Sequence, residues 1–143
     1  MDVMINKFQL TLSVLGGIIL SALGGYDMWL HVLIAFVVVD YISGVAVGIK
    51  TGKVSSRTGF YGLLKKMFIF SVVYMANLVD SATGAETFRN AAVLFYAANE
   101  GISILENLGS LGVKYPEKMM YVFEQLKKGG DEDDKNESER QDV

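Results

Sequence analysis

Asp40-Tyr41-Ile42-Ser43-Gly44, followed by Gly48, Lys50, Gly52-Lys53, Ser55-Ser56, Gly62-Leu63 and Lys65-Lys66, decides how this chain folds. An apolar segment carrying one acid runs through a short basic turn into a second apolar segment. A soluble domain has little use for that order. A membrane hairpin needs it, because the cations stay in cytoplasmic water while both flanks enter lipid. Lys50, Lys53 and Arg57 lie in the turn, with Lys65 and Lys66 just beyond. They read as the cytoplasmic basic loop. Ser55 or Ser56 is placed to cap the following helix.

Before the hairpin, residues 8–25 are uncharged. Ser13, Gly17, Ser21 and Gly25 recur every four residues, a narrow small-residue face on which backbones approach closely in lipid. Contact within the chain and self-association fit that face equally, and the helix either crosses the membrane or lies in its interface. The Lys7-led apolar run also resembles a signal peptide, but Gly-Gly and further apolar segments follow it, so it reads as a retained first span. Residues 28–49 suit the ~20 residues of a membrane helix. Asp40 falls about ten residues from the cytoplasmic lysines, or roughly 15 Å deep. A carboxylate there costs at least ~2.5 kcal/mol, so it must meet a partner or water. Gly44 and Gly48 give this helix its own close-approach face.

Residues 67–79 form a shorter apolar run of roughly 20 Å, extended by Gly62-Leu63-Leu64 and by lysine stems that reach through the lipid boundary. Asn77 is a polar member. The next loop, residues 80–90, holds Arg89 as its one cation. Residues 91–108 place Asn99, Ser103 and Glu106 at helical spacing, overlapped by Glu100 and Asn107, opposite Leu94, Phe95, Ala98, Ile102 and Leu105. In lipid that polar stripe must meet other helices, a wet cavity or the interface. Asp40, Asn77, Asn99 and Glu100 fall at comparable depth, which suggests a polar layer, with Ser103 and Glu106 nearby, that lines a pore when many copies associate. Pro116 opens a further helix whose Met119, Val122, Phe123 and Leu126 repeat at i, i+3, i+4, i+7. This reads as a short amphipathic helix on the cytoplasmic lipid surface, or one packed on another subunit. Gly129-Gly130 ends it, and the acidic tail, residues 131–143, lacks an apolar anchor and is expected to be disordered.

The bulk numbers agree. The 143 residues are 51% apolar with a mean hydropathy of +0.32, enough for one membrane unit, residues 1–128, plus the tail, residues 129–143. There is no cysteine and one histidine, His31, so thiolate and multi-histidine metal sites are excluded. No phosphate loop, nucleophile elbow or intramembrane aspartyl protease pattern occurs, and no cofactor is implied. An enzyme is not expected, nor is nucleic-acid binding by so few cations. The expected fold is all-α and integral to the membrane, with three to four transmembrane helices, a short C-terminal amphipathic helix and a disordered acidic tail. Cation placement puts the C-terminus in the cytoplasm.

The hairpin motif also resembles the phage lysis and toxin-secretion holins. The Asp40 and Ser43-Gly44 step, the Gly52-Lys53 and Ser55-Ser56 turn and the Gly62-Leu63-x-Lys65-Lys66 re-entry carry the likeness. So does a second block, Asn99-Glu100-Gly101-Ile102-Ser103-Ile104-Leu105-Glu106-Asn107 with Leu111-Gly112-Val113 and Pro116. The resemblance implies a multi-pass protein of the bacterial inner membrane that forms homo-oligomers in the lipid bilayer. It then opens a lesion for an endolysin or a toxin, with an antiholin as a further partner. A non-lytic ion channel or transporter using Asp40 and Glu100, and a membrane regulator acting on another holin, are the alternatives.

Overall fold

A computed structural model describes the backbone of residues 2–140 and the side-chain surroundings of residues 6–128. Five helices follow in order: α1 Asp2–Ala22, α2 Met28–Thr51, α3 Ser56–Thr83, α4 Phe88–Leu111 and α5 Glu117–Arg140. Among the described residues there is no strand. Two of the helices, α2 and α3, are long and apolar enough to cross a membrane. The expectation of three to four crossings goes beyond these two.

The boundaries around the α2–α3 hairpin have local causes. The carboxylate of Asp27 accepts from the Leu30 amide at 2.8 Å and caps α2. Gly52 ends α2 with φ 68°, a left-handed conformation that glycine adopts without a Cβ penalty. Ser55 caps α3 through the Thr58 amide at 3.1 Å. The loop between α2 and α3 is therefore residues 52–55 alone. Lys50 lies in the last turn of α2, and Arg57, Lys65 and Lys66 lie on α3, so of the basic loop expected from sequence the structure leaves Lys53 in the connection. The short apolar run of residues 67–79 is likewise part of a helix of 28 residues. At ~1.5 Å per residue that helix exceeds the hydrocarbon thickness.

Helix α4 packs against both α2 and α3 and forms the centre of the bundle. Leu30, Leu33 and Val37 of α2, Ile69 and Val73 of α3, and Val93 and Ala97 of α4 make the core, joined by Leu23 from the end of α1. On each helix these residues recur every three or four positions, one buried stripe per helix. The outward stripes are equally apolar: Phe68 is 67% exposed and Met75 63%. Such a surface is costly in water and ordinary in lipid, where apolar side chains give no preference for inside over outside. The polar residues on the buried stripes therefore decide which face turns in.

Helix α1 leaves both readings of its small-residue face open, and helix α5 differs from the sequence expectation. Helix α1 meets the core through Leu20 and Leu23 near its end, while Leu10, Leu12, Leu15, Ile18 and Ile19 are exposed. Its small-residue face has no neighbour here: a Cβ added at Gly17 would touch nothing, and Ser13 and Ser21 are exposed. Helix α5 is not laid across the basic end of the bundle. It folds back along α4, and the Phe123 ring packs edge-on against Phe36 of α2, centroids 5.8 Å apart. Gly101 permits that approach, since a Cβ there would stand 2.9 Å from the ring. The helix also continues through Gly129-Gly130 to Arg140. Of the tail expected to be disordered, the backbone through Arg140 is thus helical, while the side chains from Gly129 onward and residues 141–143 lie outside the described residues.

Candidate functional site: a buried ion cluster in the bundle

The buried stripe of α2 runs Leu30, Leu33, Val37, Asp40, Ser43. Helical spacing thus carries Asp40 from the apolar core onto the same inner face. On α4 the stripe through Val93 and Ala97 delivers Glu100. On α3 the stripe of Asp80, Val73 and Ile69, followed back one turn, reaches Lys66. These three charged side chains meet. The Lys66 ammonium donates to Asp40 Oδ2 at 2.6 Å and also to Glu100 Oε2, so one cation bridges two helices from a third. All three side chains are between 4% and 14% exposed.

Asn107, two turns along α4, completes the cluster. Its amide donates to Asp40 Oδ1 and to Ser43 Oγ, both at 3.0 Å, and the Ser43 hydroxyl donates to the Asp40 carbonyl at 3.0 Å. Gly44 lies beside it, and a Cβ there would meet the Asn107 amide nitrogen at an ordinary 3.7 Å contact. No buried side-chain polar atom among the described residues lacks a hydrogen-bond partner. Two carboxyl groups thus share one ammonium, and the Asn107 amide takes the second oxygen of Asp40. An arrangement of this kind cannot dissolve in lipid, so it fixes the mutual register of α2, α3 and α4. A cavity of about 250 Å³ opens beside it, lined by Tyr41, Gly44, Val45, Gly59 and Gly62, with Asp40 and Lys66 on its wall.

Among the described residues, the other members of the expected polar layer make no hydrogen bond to this cluster. Asn77 donates to the Ala22 carbonyl at 3.0 Å, at the opposite end of the bundle. Asn99 and Ser103 are half-buried and Glu106 is exposed. Lys50 donates to the Ser110 carbonyl at 2.8 Å, tying the end of α2 to that of α4. Gly48 faces Val54 of the adjoining loop. Lys53, Arg57 and Lys65 are exposed.

The end with Asn77 holds a second polar network that the sequence reading passed over. Asp80 is buried on the last turn of α3 and accepts from the Phe88 and Arg89 amides at 3.0 and 2.8 Å. It caps α4 in place of Thr87, which makes no side-chain cap bond. A carboxylate also suits the positive end of the helix dipole. Arg89 then donates to the Leu23 and Gly25 carbonyls at 2.6 and 3.1 Å and pairs with Asp27 at 2.6 Å. Gly24, at φ 87°, leaves room for that guanidinium; a Cβ would stand 2.5 Å from Arg89 Nε. Hydrogen bonding from Arg89 holds the Asp27 carboxyl below its ordinary value of 3.8, with the Leu30 amide adding to the effect against partial desolvation. Arg89 had been legible as the lone cation of its loop, but nothing in its spacing announced these partners.

The architecture so far is that of a small helical membrane protein with a charged interior. Comparison makes the class specific: residues 17–128 match the bacteriophage holin family, and the chain belongs to it. A probable holin of Bacillus phage phi105 is 41% identical over 95 residues, covering 64% of this chain and 69% of that protein. An uncharacterised protein of Listeria innocua is 40% identical over 120 residues, 81% and 84% of the two chains. A 14.9 kDa protein of Clostridium perfringens, also uncharacterised, is 37% identical over 128 residues, 88% and 97% of the two. No solved structure matches. The matched span includes all of the ion cluster and the Asp27–Asp80–Arg89 network.

Proposed function

We propose that this chain is a holin: it accumulates in the bacterial inner membrane and associates into a lesion wide enough to release a cytosolic muralytic enzyme. The observation that carries the reading is family membership across residues 17–128. The relative named a probable holin comes from a phage, which favours an endolysin over a toxin as cargo. The Asp40–Lys66–Glu100 cluster supports a two-state account. In a single copy these charges are buried and paired, so each chain inserts without exposing them to lipid. Association of many copies then offers the same groups water or one another. The protein works without chemistry of its own and needs no cofactor.

Positive-inside sorting places Lys50, Lys53, Arg57, Lys65 and the Lys114–Lys118 region on the cytoplasmic side, and with them the C-terminus of the resting protein. Helices α2 and α3 cross the bilayer. Helix α4 lies between them at the same depth, and α1 either crosses or rests in the interface. Oligomer contacts draw on the free small-residue face of α1, Ser13, Gly17 and Ser21.

Controlled expression in bacteria tests this. A holin gives a delay, then an abrupt loss of viability with leakage of a co-expressed cytosolic hydrolase. The cavity beside Asp40 and Lys66 favours one competing reading, a small ion conductor; graded ion flux without hydrolase release would establish it instead. Protection of cells against another holin, without leakage, would mark the chain as an antagonist.

A further inference from the structure

The fold-back of α5 sets a polar surface at membrane depth. Phe36 lies on the ninth position of α2, a helix of 24 residues long and apolar enough to span, so it falls inside the hydrocarbon layer. Phe123 packs on it. Phe123 itself is half-buried, whereas Glu124 and Gln125 are exposed immediately beside it. Further along, Gln125 and Leu126 share a groove with Asn90, Ala91, Leu94 and Phe95 at the start of α4. Helix α5 thus runs antiparallel to α4 through the layer that α2 and α3 span. Its outer face is mixed: Glu117, Lys118, Glu124 and Gln125 are exposed, and so are Met119, Tyr121, Val122 and Leu126; the charged members set the cost. Facing lipid there would be prohibitive for such side chains; facing water would not.

In one bundle the outer face of α5 is left open to whatever surrounds the molecule. Several copies can enclose water, provided their α5 faces turn inward while the exposed apolar residues of α2 and α3, among them Val38, Ile42, Phe68 and Met75, turn to lipid. We propose that α5, packed along α4 through Phe123, lines the aqueous lumen of the assembled lesion with Glu124 and Gln125. This rests on the holin reading and sharpens it, because the lumen surface is then α5 rather than the polar stripe of α4. It also implies a rearrangement: α5 starts in the cytoplasm and takes up its place on α4 only as the lesion forms, when water is present to receive its charges.

The chain has no cysteine, so single engineered thiols report on one place each. Nitroxide labels at Asn90→Cys and Gln125→Cys are placed in the purified full chain, reconstituted in vesicles of phosphatidylethanolamine and phosphatidylglycerol that hold a trapped hydrolase. Release of the hydrolase is followed on the same preparation. The proposal expects release, with the two labels as near neighbours. It further expects the Gln125 label to be reached by a water-soluble nickel chelate, and a label at Phe68→Cys to be reached by oxygen instead. Release with the labels separated by about the length of α4, ~36 Å at 1.5 Å per residue, puts α5 on the membrane surface and overturns the proposal while leaving the holin reading intact. No release from unlabelled or labelled chain overturns the holin reading, and the lumen with it. Release with near neighbours but a Gln125 label reached only by oxygen overturns the lumen assignment alone.

Discussion

Removing the Lys66 ammonium leaves Asp40 and Glu100 buried within one cluster without their cation. Breaking a buried pair in this way costs about 3–5 kcal/mol. Lys66→Met is therefore expected to lower the unfolding temperature of the chain in detergent far more than Lys65→Met, whose side chain is exposed; equal shifts would show the cluster to be dispensable. Asp40→Leu or Glu100→Leu should change the time at which induced cells lyse, and unchanged timing in both would remove the cluster from the trigger. At the other end of the bundle Asp27 gives a pH dependence. Its carboxyl sits below 3.8 in the folded chain, so its contribution is complete above that value and fades as pH falls through the folded value. Thermal melts in detergent should show part of the acid destabilisation below pH 3.8 vanish in Asp27→Asn, which keeps the cap acceptor and loses the charge. An identical acid limb in both proteins would contradict the pairing with Arg89.

Among the elements, the hairpin was plain in the sequence because two apolar runs flanked a basic turn. The inward acids were plain too, since a charge in an apolar run has few places to go. Lys66 was not, because beside Lys65 it reads as a topology signal. Its place follows only from the register of α3, where Lys66, Ile69, Val73 and Asp80 share one face, and from a fold that brings it to Asp40 and Glu100 across 26 and 34 residues. Asn77 misled in the complementary way. Depth counted from the lysines put it level with Asp40, whereas α3 starts earlier than its apolar run and carries Asn77 to the far end. Helix α5 was recognised as amphipathic, but periodicity does not say whether lipid or α4 receives the apolar face. Gly101 holds the answer: a Cβ there would stand 2.9 Å from the Phe123 ring and force it to shift from its place on α4. Gly101→Ala should loosen α5, seen as faster protease cleavage between Leu111 and Lys128 in chain reconstituted in vesicles that have released their contents. Cleavage at the wild-type rate would mean that the Phe123 contact does not hold α5.

For the whole molecule, the outer surface of α1, α2 and α3 is apolar and the charges lie in the interior, at the two ends and along α5. Under the holin function proposed above, that inversion of a soluble protein lets copies gather in a membrane before the lesion forms, and lysis is then a matter of rearranging surfaces rather than of chemistry. The account therefore stands on lipid being the solvent of those helices. Membrane flotation of the expressed chain measures it directly. The chain is expected to float with the vesicles, to resist alkaline extraction and to leave only with detergent. A chain that remains monomeric and dissolved in detergent-free buffer would contradict the account at its base.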